Sequence, residues 1–472
     1  MLKKILKVTA FVIVALITLS IALVVEENIR GKRAWNRHLR ELEAKGDTLD
    51  ILKIAPPPVP DAQNLAATPL FAEIMTVTNQ SDGRLYRTLK DILPTSHGGS
   101  NWQMARRVDL AVAYSNANLL ATLAPAADVL KEVEDAVATH PLCRFPVRYE
   151  KGFECLIPHA SVLLKMSKVL CLRAQVELQA GQSEAAFRDV LLMLKLGNTT
   201  ANEPLLISML VRDSVINLAL QPVWEGLQDH RWTDDQLKQF QQQFAALDML
   251  AHLDLAMHGE RCMAKWALDL MLANPNTFYE LTELSGNARQ KSWNFLPSAF
   301  FYFNCLNVDL FYQRHVLPGF DSKAGRIYPA RIAAADAAHP GRGLQALPYH
   351  VLESLLVPAV SSCVMKQGKV QTAVESAQLA CALERYRLAN GGYPDKLEAL
   401  VPQFIAAVPR DVIDGQPLRY RKEGEGFVIY SIGWNQKDDG GQMALQKPDD
   451  PKAVPRLDEK EGDWVWRSQP AP

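Results

Sequence analysis

The chain opens with three lysines in its first seven residues, followed by an uninterrupted apolar run. Val8–Val25 contains eighteen residues without a charge. About eighteen residues is the minimum for a helix that crosses a hydrocarbon layer about 30 Å thick. The run therefore predicts a signal anchor that contacts the lipid bilayer through residues 8–25. A cleaved signal peptide is the alternative, since Ser20-Ile21-Ala22 offers small residues for cleavage, but Leu23–Val25 continues the apolar run.

The segment after the anchor is highly charged and then rich in proline. Trp35, Leu39 and Leu42 recur at the spacing of one helix face. This pattern predicts a short amphipathic stalk, most simply a solvated continuation of the anchor helix. Pro56–Pro60 holds four prolines and predicts an extended spacer. We therefore assign residues 1–30 to a transmembrane anchor and residues 31–65 to a stalk and linker.

Residues 66–345 carry mainly helical patterns and are assigned to a helical domain. Residues 156–198 predict a helical hairpin broken at 180–183, with the spacing of a single unit similar to a tetratricopeptide repeat. Pro222 is expected to end or kink its helix. Thr233-Asp-Asp-Gln236 is a capping box, and the apolar residues after it predict one long helix. That helix would also carry His258 and Cys262.

Residues 293–312 hold eight aromatic side chains. Asn304, Asn307 and Asp309 make a second transmembrane span an unfavourable interpretation, because unpaired polar groups are costly in hydrocarbon. A buried helix is expected here. Shallow insertion into a membrane surface is the alternative.

The last part of the chain, residues 346–472, predicts a long helix followed by a small α+β module. The helix carries an apolar stripe and should end at Asn390–Pro394, where glycine and proline are stop signals. Residues 417–421 and 427–432 predict a β-hairpin, and residues 463–467 a late strand. The stripe comprises Val370, Val374, Ala377, Cys381 and Leu388. The fold class predicted for the whole chain is therefore mainly α.

Three pieces of this region carry a family resemblance. Ala382–Pro394, Leu397–Pro402 and Tyr430–Gly441 together resemble the globular domain of the major pseudopilins of type II secretion systems. The resemblance covers roughly the last hundred residues, and the remainder resembles membrane-anchored bacterial proteins of unassigned function. More than three hundred residues separate the anchor from the pseudopilin-like helix. A filament subunit would have the two continuous, so the module is expected to be a reused fold.

The resemblance also implies a calcium ion in the final loop. The ligands carried over by motif are the carboxylates of Asp438 and Asp439 and the main-chain carbonyl of Ser431. Calcium takes six to eight oxygen ligands and tolerates irregular loops. Asp-Asp-Gly-Gly is also an ordinary turn sequence that needs no metal.

Composition limits the remaining function classes. The chain holds 51 Lys and Arg against 52 Asp and Glu, so no global basic surface indicates a nucleic-acid partner. A mean hydropathy of −0.08 excludes a polytopic membrane protein. Seven cysteines lie without any CxxC pair. Cys143 and Cys155 are the only close couple; two buried thiols are the commoner case, and a disulfide is the alternative outside the cytoplasm.

Searches for catalytic motifs find little. GxSxG, HExxH, GxxxxGK[ST] and GxGxxG patterns are absent from the sequence. The stretch 96–100 faintly resembles an oxyanion loop, yet a flexible loop is the simpler interpretation. His258 and Cys262 lie four residues apart, which gives two metal ligands without a visible third.

The sequence therefore supports several functions to different degrees. The first hypothesis is a single-pass inner-membrane protein with a periplasmic body, acting as a non-catalytic scaffold or accessory in secretion or envelope assemblies. An envelope hydrolase with a dispersed site and a lipid-surface-binding protein are the alternatives. An enzyme should show a deep polar pocket with convergent titratable groups, whereas a scaffold should show an exposed apolar groove.

Overall fold

The structure is a computed structural model that describes residues 2–76, 84–90, 92, 123–274, 277, 296–338, 348–356, 360–446 and 456–468. These residues are mostly helical, with a few small antiparallel sheets. The helices are α1 Leu2–Ala44, α2 Ile51–Ile54, α3 Pro69–Thr76, α4 Arg84–Lys90, α5 Ala127–Thr139, α6 Pro158–Gln179, α7 Ser183–Asn198, α8 Leu206–Gln228, α9 Asp234–Ala245, α10 Met249–Ala273, α11 Ser298–Phe311, α12 Pro329–Ala338, α13 Val351–Leu356 and α14 Val360–Asn390. The strands are β1 Phe320–Asp321, β2 Arg326–Ile327, β3 Arg419–Glu423, β4 Gly426–Ser431, β5 Met443–Gln446, β6 Arg456–Gly462 and β7 Trp464–Arg467.

Helix α1 has two halves with different surroundings. Every side chain from Lys4 to Val25 is exposed, as expected for a segment whose partner is lipid. From Gly31 onward the same helix packs on α11, and Trp35 and Leu42 are buried there. The predicted continuation of the anchor helix is confirmed, but the expectation that it is solvated is wrong. Its apolar stripe covers the apolar face of α11 instead of facing water.

The two helices α1 and α11 run parallel. Asn28 Oδ1 accepts a hydrogen bond from Ala299 N at 2.8 Å, and ten residues later His38 bonds to Asp309. Gly31 lets the helices approach closely, because a Cβ at this position would lie 3.1 Å from Ala299 Cα. The first turn of α11 therefore lies beside the point where α1 leaves its apolar stretch.

The predicted hairpin at 156–198 is confirmed as α6 and α7, which end and begin around Gly181 with its φ of +75°. Both helices pack on α8. Helix α8 is long and apolar enough to cross a membrane, as α1 is, but 67% of its apolar window is buried inside the protein. It is therefore a core helix. Pro222 is inside α8 and does not end it.

The capping box is confirmed, since Thr233 Oγ1 accepts from Gln236 N and Gln236 Oε1 accepts from Thr233 N. The single long helix predicted after it is wrong, because the chain forms two helices, α9 and α10. Asp248 starts the second one by accepting a hydrogen bond from Ala251 N at 2.8 Å. An aspartate N-cap satisfies a free backbone donor and favours a new helix start.

The aromatic segment enters the structure as α11. Phe300, Phe301 and Phe311 are buried, as predicted for a buried helix, while Tyr302 and Phe303 are half-buried. Trp293 and Phe295 lie outside the described residues.

The carboxyl-terminal helix and strands match the prediction closely. Helix α14 ends at Asn390, and Gly391 follows with a φ of +81°. Strands β3 and β4 form the expected hairpin, and β7 pairs antiparallel with β4 in the order β3-β4-β7. Four residues of the predicted stripe are buried, but Leu388 is 46% exposed because α14 extends beyond the core at its end.

Two hydrophobic clusters make up most of the core. The first, here the body core, contains residues of α5 to α9, the middle of α14, and the β3-β4-β7 sheet. The second, the anchor-side core, contains Trp35 and Leu42 of α1 together with residues of α10, α11 and the first turns of α14. Helix α14 therefore belongs to both clusters, so the carboxyl-terminal region packs against the helical region along its length.

Candidate functional site

Three helices meet around an open groove whose cavity is about 500 Å³. Each helix presents one face to it. Helix α6 contributes Leu164 and Lys168, four residues apart, and α14 contributes Lys366, Lys369 and Val370. Helix α8 contributes five residues at i, i+3, i+4, i+7 and i+8, the spacing of one helical face. These are Leu210, Asp213, Ser214, Asn217 and Leu218.

Lysines form the charged rim of this lysine groove. Lys369 donates to Glu459 of β6 at 2.9 Å, which closes one end of the groove with an ion pair. Lys168 and Lys366 have no hydrogen bond or ion pair among the described residues, although each lines the cavity. Lys366 nevertheless interacts through its charge with the buried Asp213 carboxyl.

Asp213 and Asn217 form the polar floor. Asp213 is only 5% exposed, and its carboxylate oxygens are inaccessible to water. The carboxylate interacts with the side chain of Gln367 and with the charges of Arg212 and Lys366. Asn217 donates through its amide nitrogen to Asp213 O at 3.0 Å, and its Oδ1 is buried without a hydrogen-bond partner among the described residues.

The protonation of Asp213 follows from its surroundings. Burial raises the pKa of this carboxyl to about 7, and the charge of Arg212, a hydrogen bond from Gln367 and the charge of Lys366 only partly oppose the rise. Burial therefore dominates over the partners and favours the neutral form.

The groove is arranged for binding more than for covalent chemistry. Among the described residues, its lining contains no histidine or cysteine. The hydroxyl of Ser214 donates to Leu210 O at 2.8 Å within its own helix. Nucleophilic catalysis requires a nucleophile within hydrogen-bond reach of a base. The remaining features, cationic rim, polar floor and apolar walls, are those of a ligand site.

A second buried aspartate, Asp309 of α11, lies at the junction with α1. Both of its carboxylate oxygens are hydrogen-bonded. His38 Nε2 lies 2.6 Å from Asp309 Oδ2, and Arg261 Nε donates to Asp309 Oδ1 at 2.6 Å. Gln313 also donates to Asp309, and Arg261 Nη2 reaches Asp47 Oδ2 at 2.7 Å. Burial acts to raise the pKa of Asp309, but the bonds from His38 and Arg261 outweigh it and hold this pKa below its usual value. We call these five residues the Asp309 hub.

A third buried polar group surrounds Glu203. Ser208 Oγ donates to Glu203 Oε2 at 2.5 Å, and His159 Nε2 lies 3.0 Å from Oε1. His252 Nε2 contacts the backbone oxygen of Glu203 at 3.1 Å. These partners come from α6, α8 and α10 and are themselves buried. Glu203 therefore connects three helices and has a structural role.

The side chains of the predicted calcium ligands bond to other protein groups, and Arg419 connects Asp411, the partner of Ser431, with Asp438. Ser431 is buried on β4, where its hydroxyl donates to Asp411 Oδ1 at 2.8 Å. Asp438 accepts from Gly440 N at 3.0 Å and lies 3.4 Å from Arg419 Nε. Asp439 accepts from Asn435 Nδ2 at 2.9 Å. Each side chain already has a partner from the protein.

The turn that contains Asp438 and Asp439 is also held by hydrogen bonds to Asp463, a residue outside the turn. Asp463 accepts from the backbone nitrogens of Asp439 and Gly441, at 3.2 and 2.6 Å. Within the described residues, no group of three or more His, Cys, Asp or Glu is placed to hold a metal ion. The calcium site stays a prediction.

The other sequence candidates are dispersed. His258 is half-buried and bonds to Asp254 O, while Cys262 is buried on the same helix. All seven cysteines are free thiols, so the disulfide alternative for Cys143 and Cys155 does not hold in this structure. The stretch 96–100 lies outside the described residues.

Sequence reasoning missed the lysine groove. One signal existed, since Asp213 interrupts an apolar run, and a charge in a core helix indicates either a partner or a site. The pairing of that face with Lys168 and Lys366 depends on how three helices pack, which no local pattern contains.

Comparisons with known proteins add no relative. No protein-family model matches the chain, and no curated protein or solved structure matches it either.

Proposed function

We propose that this chain is a single-pass anchored protein of the bacterial inner membrane, with its body in the periplasm. It acts there as a non-catalytic scaffold or accessory in secretion or envelope assemblies. The lysine groove is its ligand-binding site.

The observation that best supports the membrane anchor is the contrast between the two halves of α1. Residues 8–25 are apolar, helical and wholly exposed, which is unstable in water but suited to lipid. Residues 31–44 of the same helix are part of the anchor-side core through Trp35 and Leu42. A flexible tether would leave the body free to drift, whereas this helix holds the body at a set place on the membrane.

The non-catalytic assignment is supported by the groove itself. The polar groups among its described lining residues are three lysines, two acids and two neutral side chains, and Ser214 Oγ bonds within its own helix and not to a base, as hydrolysis by a covalent route would require. The secretion assignment is supported by the pseudopilin-like sequence pieces and by the β-hairpin that follows α14. The calcium ion implied by that resemblance, at Asp438, Asp439 and Ser431, belongs to the same proposal.

Anchoring and partnership can be tested together. The full chain should resist extraction by alkaline carbonate, and protease added to spheroplasts should digest its body. Secretion or envelope components should co-purify with the tagged full chain from gently solubilised membranes. The matched control replaces residues 4–25 with a cleavable signal peptide, which keeps the body and removes the anchor. Release by carbonate, or a chain that purifies alone, would contradict the proposal.

A specific observation favours the lipid surface as a second partner. The first turn of α11 contacts Asn28, three residues or about 5 Å along the helix from Val25. Half-buried Tyr302 and Phe303 lie in this turn and the next, and Arg30, Lys32 and Arg33 are exposed nearby on α1. Aromatic rings and basic groups are the side chains that favour the headgroup region.

Photo-crosslinking tests the lipid contact. A benzoylphenylalanine placed at Tyr302 in the full chain, reconstituted in a bilayer, should label lipid. The same label at His315, beyond the far end of α11 and about 20 Å away along the helix axis, should not. Equal labelling at both positions would argue against the contact.

A further inference from the structure

Heights above the end of the anchor can be counted along α11, because this helix runs parallel to α1. Ala299 of α11 lies beside Asn28, three residues beyond Val25. Cys305 is six residues further along α11, so it lies about 14 Å above Val25 at about 1.5 Å per residue. Cys305 donates to Ala264 O of α10 at 3.6 Å, which places this point of α10 at the same height.

Helix α10 runs from there back toward the membrane. It is antiparallel to α11, because Arg261 bonds to Asp309 at a greater height. For an upright anchor, Trp266 of α10 lies about 11 Å and Leu270 about 5 Å above the end of the apolar stretch. Both side chains are half-buried. The headgroup layer on each side of a bilayer is about 5–8 Å thick, so Leu270 lies within it and Trp266 at its outer edge.

A short 3₁₀ helix, Tyr149–Glu154, packs on this end of α10 and is called here the 149–154 turn. Glu150 O accepts a hydrogen bond from Trp266 Nε1 at 3.2 Å. Gly152 allows the close approach, since a Cβ there would lie 2.0 Å from the indole ring. The ring of Phe153 stands edge-on to Trp266 at 6.0 Å and is 41% exposed. The turn therefore presents an apolar ring to the outside near the headgroup layer.

The charges around Phe153 balance each other. Arg148 and Lys151 are matched by Glu150 and Glu154, and Arg148 Nε donates to Glu150 Oε1 at 3.0 Å. A segment without net charge gains little from an anionic surface. Its exposed apolar ring gains from leaving water, and zwitterionic lipid headgroups accept such a ring.

Aromatic side chains continue from this turn across α10 to the lipid contact of α11. Burial and the charge of Asp269 on α10 raise the pKa of the Tyr302 hydroxyl, so the two side chains are near each other. Phe303 packs on Tyr349 at 4.8 Å between ring centres, and Tyr349 OH donates to Glu27 Oε1 at 2.6 Å. The rings at this height are those of Phe153, Trp266, Tyr302, Phe303 and Tyr349. Aromatic belts of this kind are typical of the membrane–water interface.

We propose that the 149–154 turn is a further membrane contact, in which Phe153 and Trp266 enter a zwitterionic headgroup layer beside the lipid contact of α11. The body is then attached to the bilayer through the anchor and through a separate element. Tilting of α1 toward the turn would push Phe153 deeper, and tilting away would withdraw it, so the turn restricts the tilt of the anchor. This inference rests on the proposed membrane anchoring.

Photo-crosslinking of the full chain in phosphatidylcholine nanodiscs tests the contact. A benzoylphenylalanine in place of Phe153 should label lipid at least about fivefold more than the same label in place of Leu388, a ratio equivalent to about 1 kcal/mol. Leu388 is the matched control because it is apolar and 46% exposed. It lies at the far end of α14, well beyond Gln367, which bonds to Met249 at the end of α10 that is farther from the membrane. Labelling at Phe153 should persist in about 1 M salt, since the turn has no net charge.

Substitutions at Phe153 measure how far the contact depends on the ring. With the label at exposed Lys151, Phe153→Asp should reduce lipid labelling about tenfold, or about 1.4 kcal/mol, because a carboxylate resists leaving water. Phe153→Trp keeps an interfacial ring and should retain the labelling. Leu388→Asp makes a similar change at an exposed apolar position far from the turn and should leave the labelling unchanged.

Several results would overturn the inference. They are equal labelling at Phe153 and Leu388 in chains with the parental melting temperature, loss of labelling in high salt, or unchanged labelling in Phe153→Asp. Labelling of a protein in place of lipid in native membranes would assign the turn to a protein partner instead. Carbonate extraction and the label at Tyr302 measure the anchor and the α11 contact separately. If both of these hold while Phe153 fails to label lipid, the proposed function stands and this inference is wrong.

Discussion

Asp309 and Asp213 are both buried aspartates on core helices, and their surroundings differ in almost every respect. Asp309 is 1% exposed and accepts hydrogen bonds from an arginine, a histidine and a glutamine. Asp213 is 5% exposed, and its carboxylate interacts with one neutral side chain, Gln367, and with the charges of Arg212 and Lys366. The pKa of Asp309 is lowered, and that of Asp213 is raised.

This difference is one of charge compensation. Asp309 accepts hydrogen bonds from three side chains, which favour its ionised form at the join between α1 and the body. The partners of Asp213 oppose less of the effect of burial, which favours its neutral form. Burial alone predicts neither state, whereas the partners separate the two.

The largest expected effect comes from breaking the hub. Arg261→Met keeps most of the side-chain volume but leaves Asp309 and Asp47 without their guanidinium. Removing one partner of a buried ion pair costs about 3–5 kcal/mol. Chemical denaturation of the full chain in micelles should show this loss in the free energy of unfolding. Arg40→Met, at an exposed position of α1, is the control and should stay within about 0.5 kcal/mol of the parent. Similar free energies of unfolding for the two variants would show that the hydrogen bonds of Asp309 do not stabilise the fold.

The next effect is a pH dependence with a defined sign. The folded state keeps the Asp213 proton up to about pH 7, whereas an ordinary aspartate has a pKa of 3.8. Stability from this group is therefore full below about pH 4 and is lost as the pH rises through 7, by at most about 4 kcal/mol. Asp213→Asn should flatten that part of the curve of unfolding free energy against pH. Glu260 and Glu375, whose pKa values burial raises to about 7 and about 8, act equally in both proteins and cancel in the difference.

The pH dependence of stability has the opposite sign for Asp309→Asn. Because the pKa of Asp309 is lowered, its contribution is present at neutral pH and disappears as the pH falls through the folded value. Asparagine should therefore destabilise the protein most near neutral pH and least in acid. Identical pH profiles for the two asparagine variants would remove the distinction between the aspartates.

A smaller effect tests the helix packing that brings the hub together. Gly31→Leu would place its Cβ 3.1 Å from Ala299 Cα and 3.3 Å from Phe303. Forcing two close helices apart typically costs about 1–3 kcal/mol. Lys32→Leu, an exposed neighbour on the same helix, controls for helix propensity and added apolar surface. A stability equal to that of the control would mean that α1 and α11 separate without loss to the hub.

The smallest expected effect is on the melting temperature and concerns Asp438, a partly exposed carboxylate that is already hydrogen-bonded within its loop. The pseudopilin resemblance predicts that millimolar calcium raises the melting temperature, since a ligand that binds only the folded state stabilises it. Asp438→Ala should remove this calcium-dependent rise. A parental melting temperature that is the same with calcium and with a chelator would eliminate the site.

The sequence predicted individual helices and strands better than it predicted which of them pack against each other. The hairpin of α6 and α7, the end of α14 at Asn390 and the β3-β4 pair all follow from local glycine, proline and periodicity signals. The break between α9 and α10 also had a local signal, the N-cap Asp248, which the continuous apolar pattern outweighed.

Tertiary packing decided the remaining cases. Helix α8 continues through Pro222 because the residues on both sides are buried in the body core, and core packing contributes more to helix stability than propensity does. The lysine groove and the Asp309 hub join residues up to 275 positions apart. Such pairs depend on how helices pack and cannot be inferred from spacing along one segment.

The unbroken path of α1 from lipid to core turns the anchor into a lever arm. From Val25 to Ala44 the helix rises about 28 Å, since each residue adds about 1.5 Å. A tilt of about 20°, common for membrane-spanning helices, would move the far end sideways by about 10 Å. Helices tilt further when the bilayer thins around them. Bilayer thickness would then set the direction in which the lysine groove faces relative to the membrane plane.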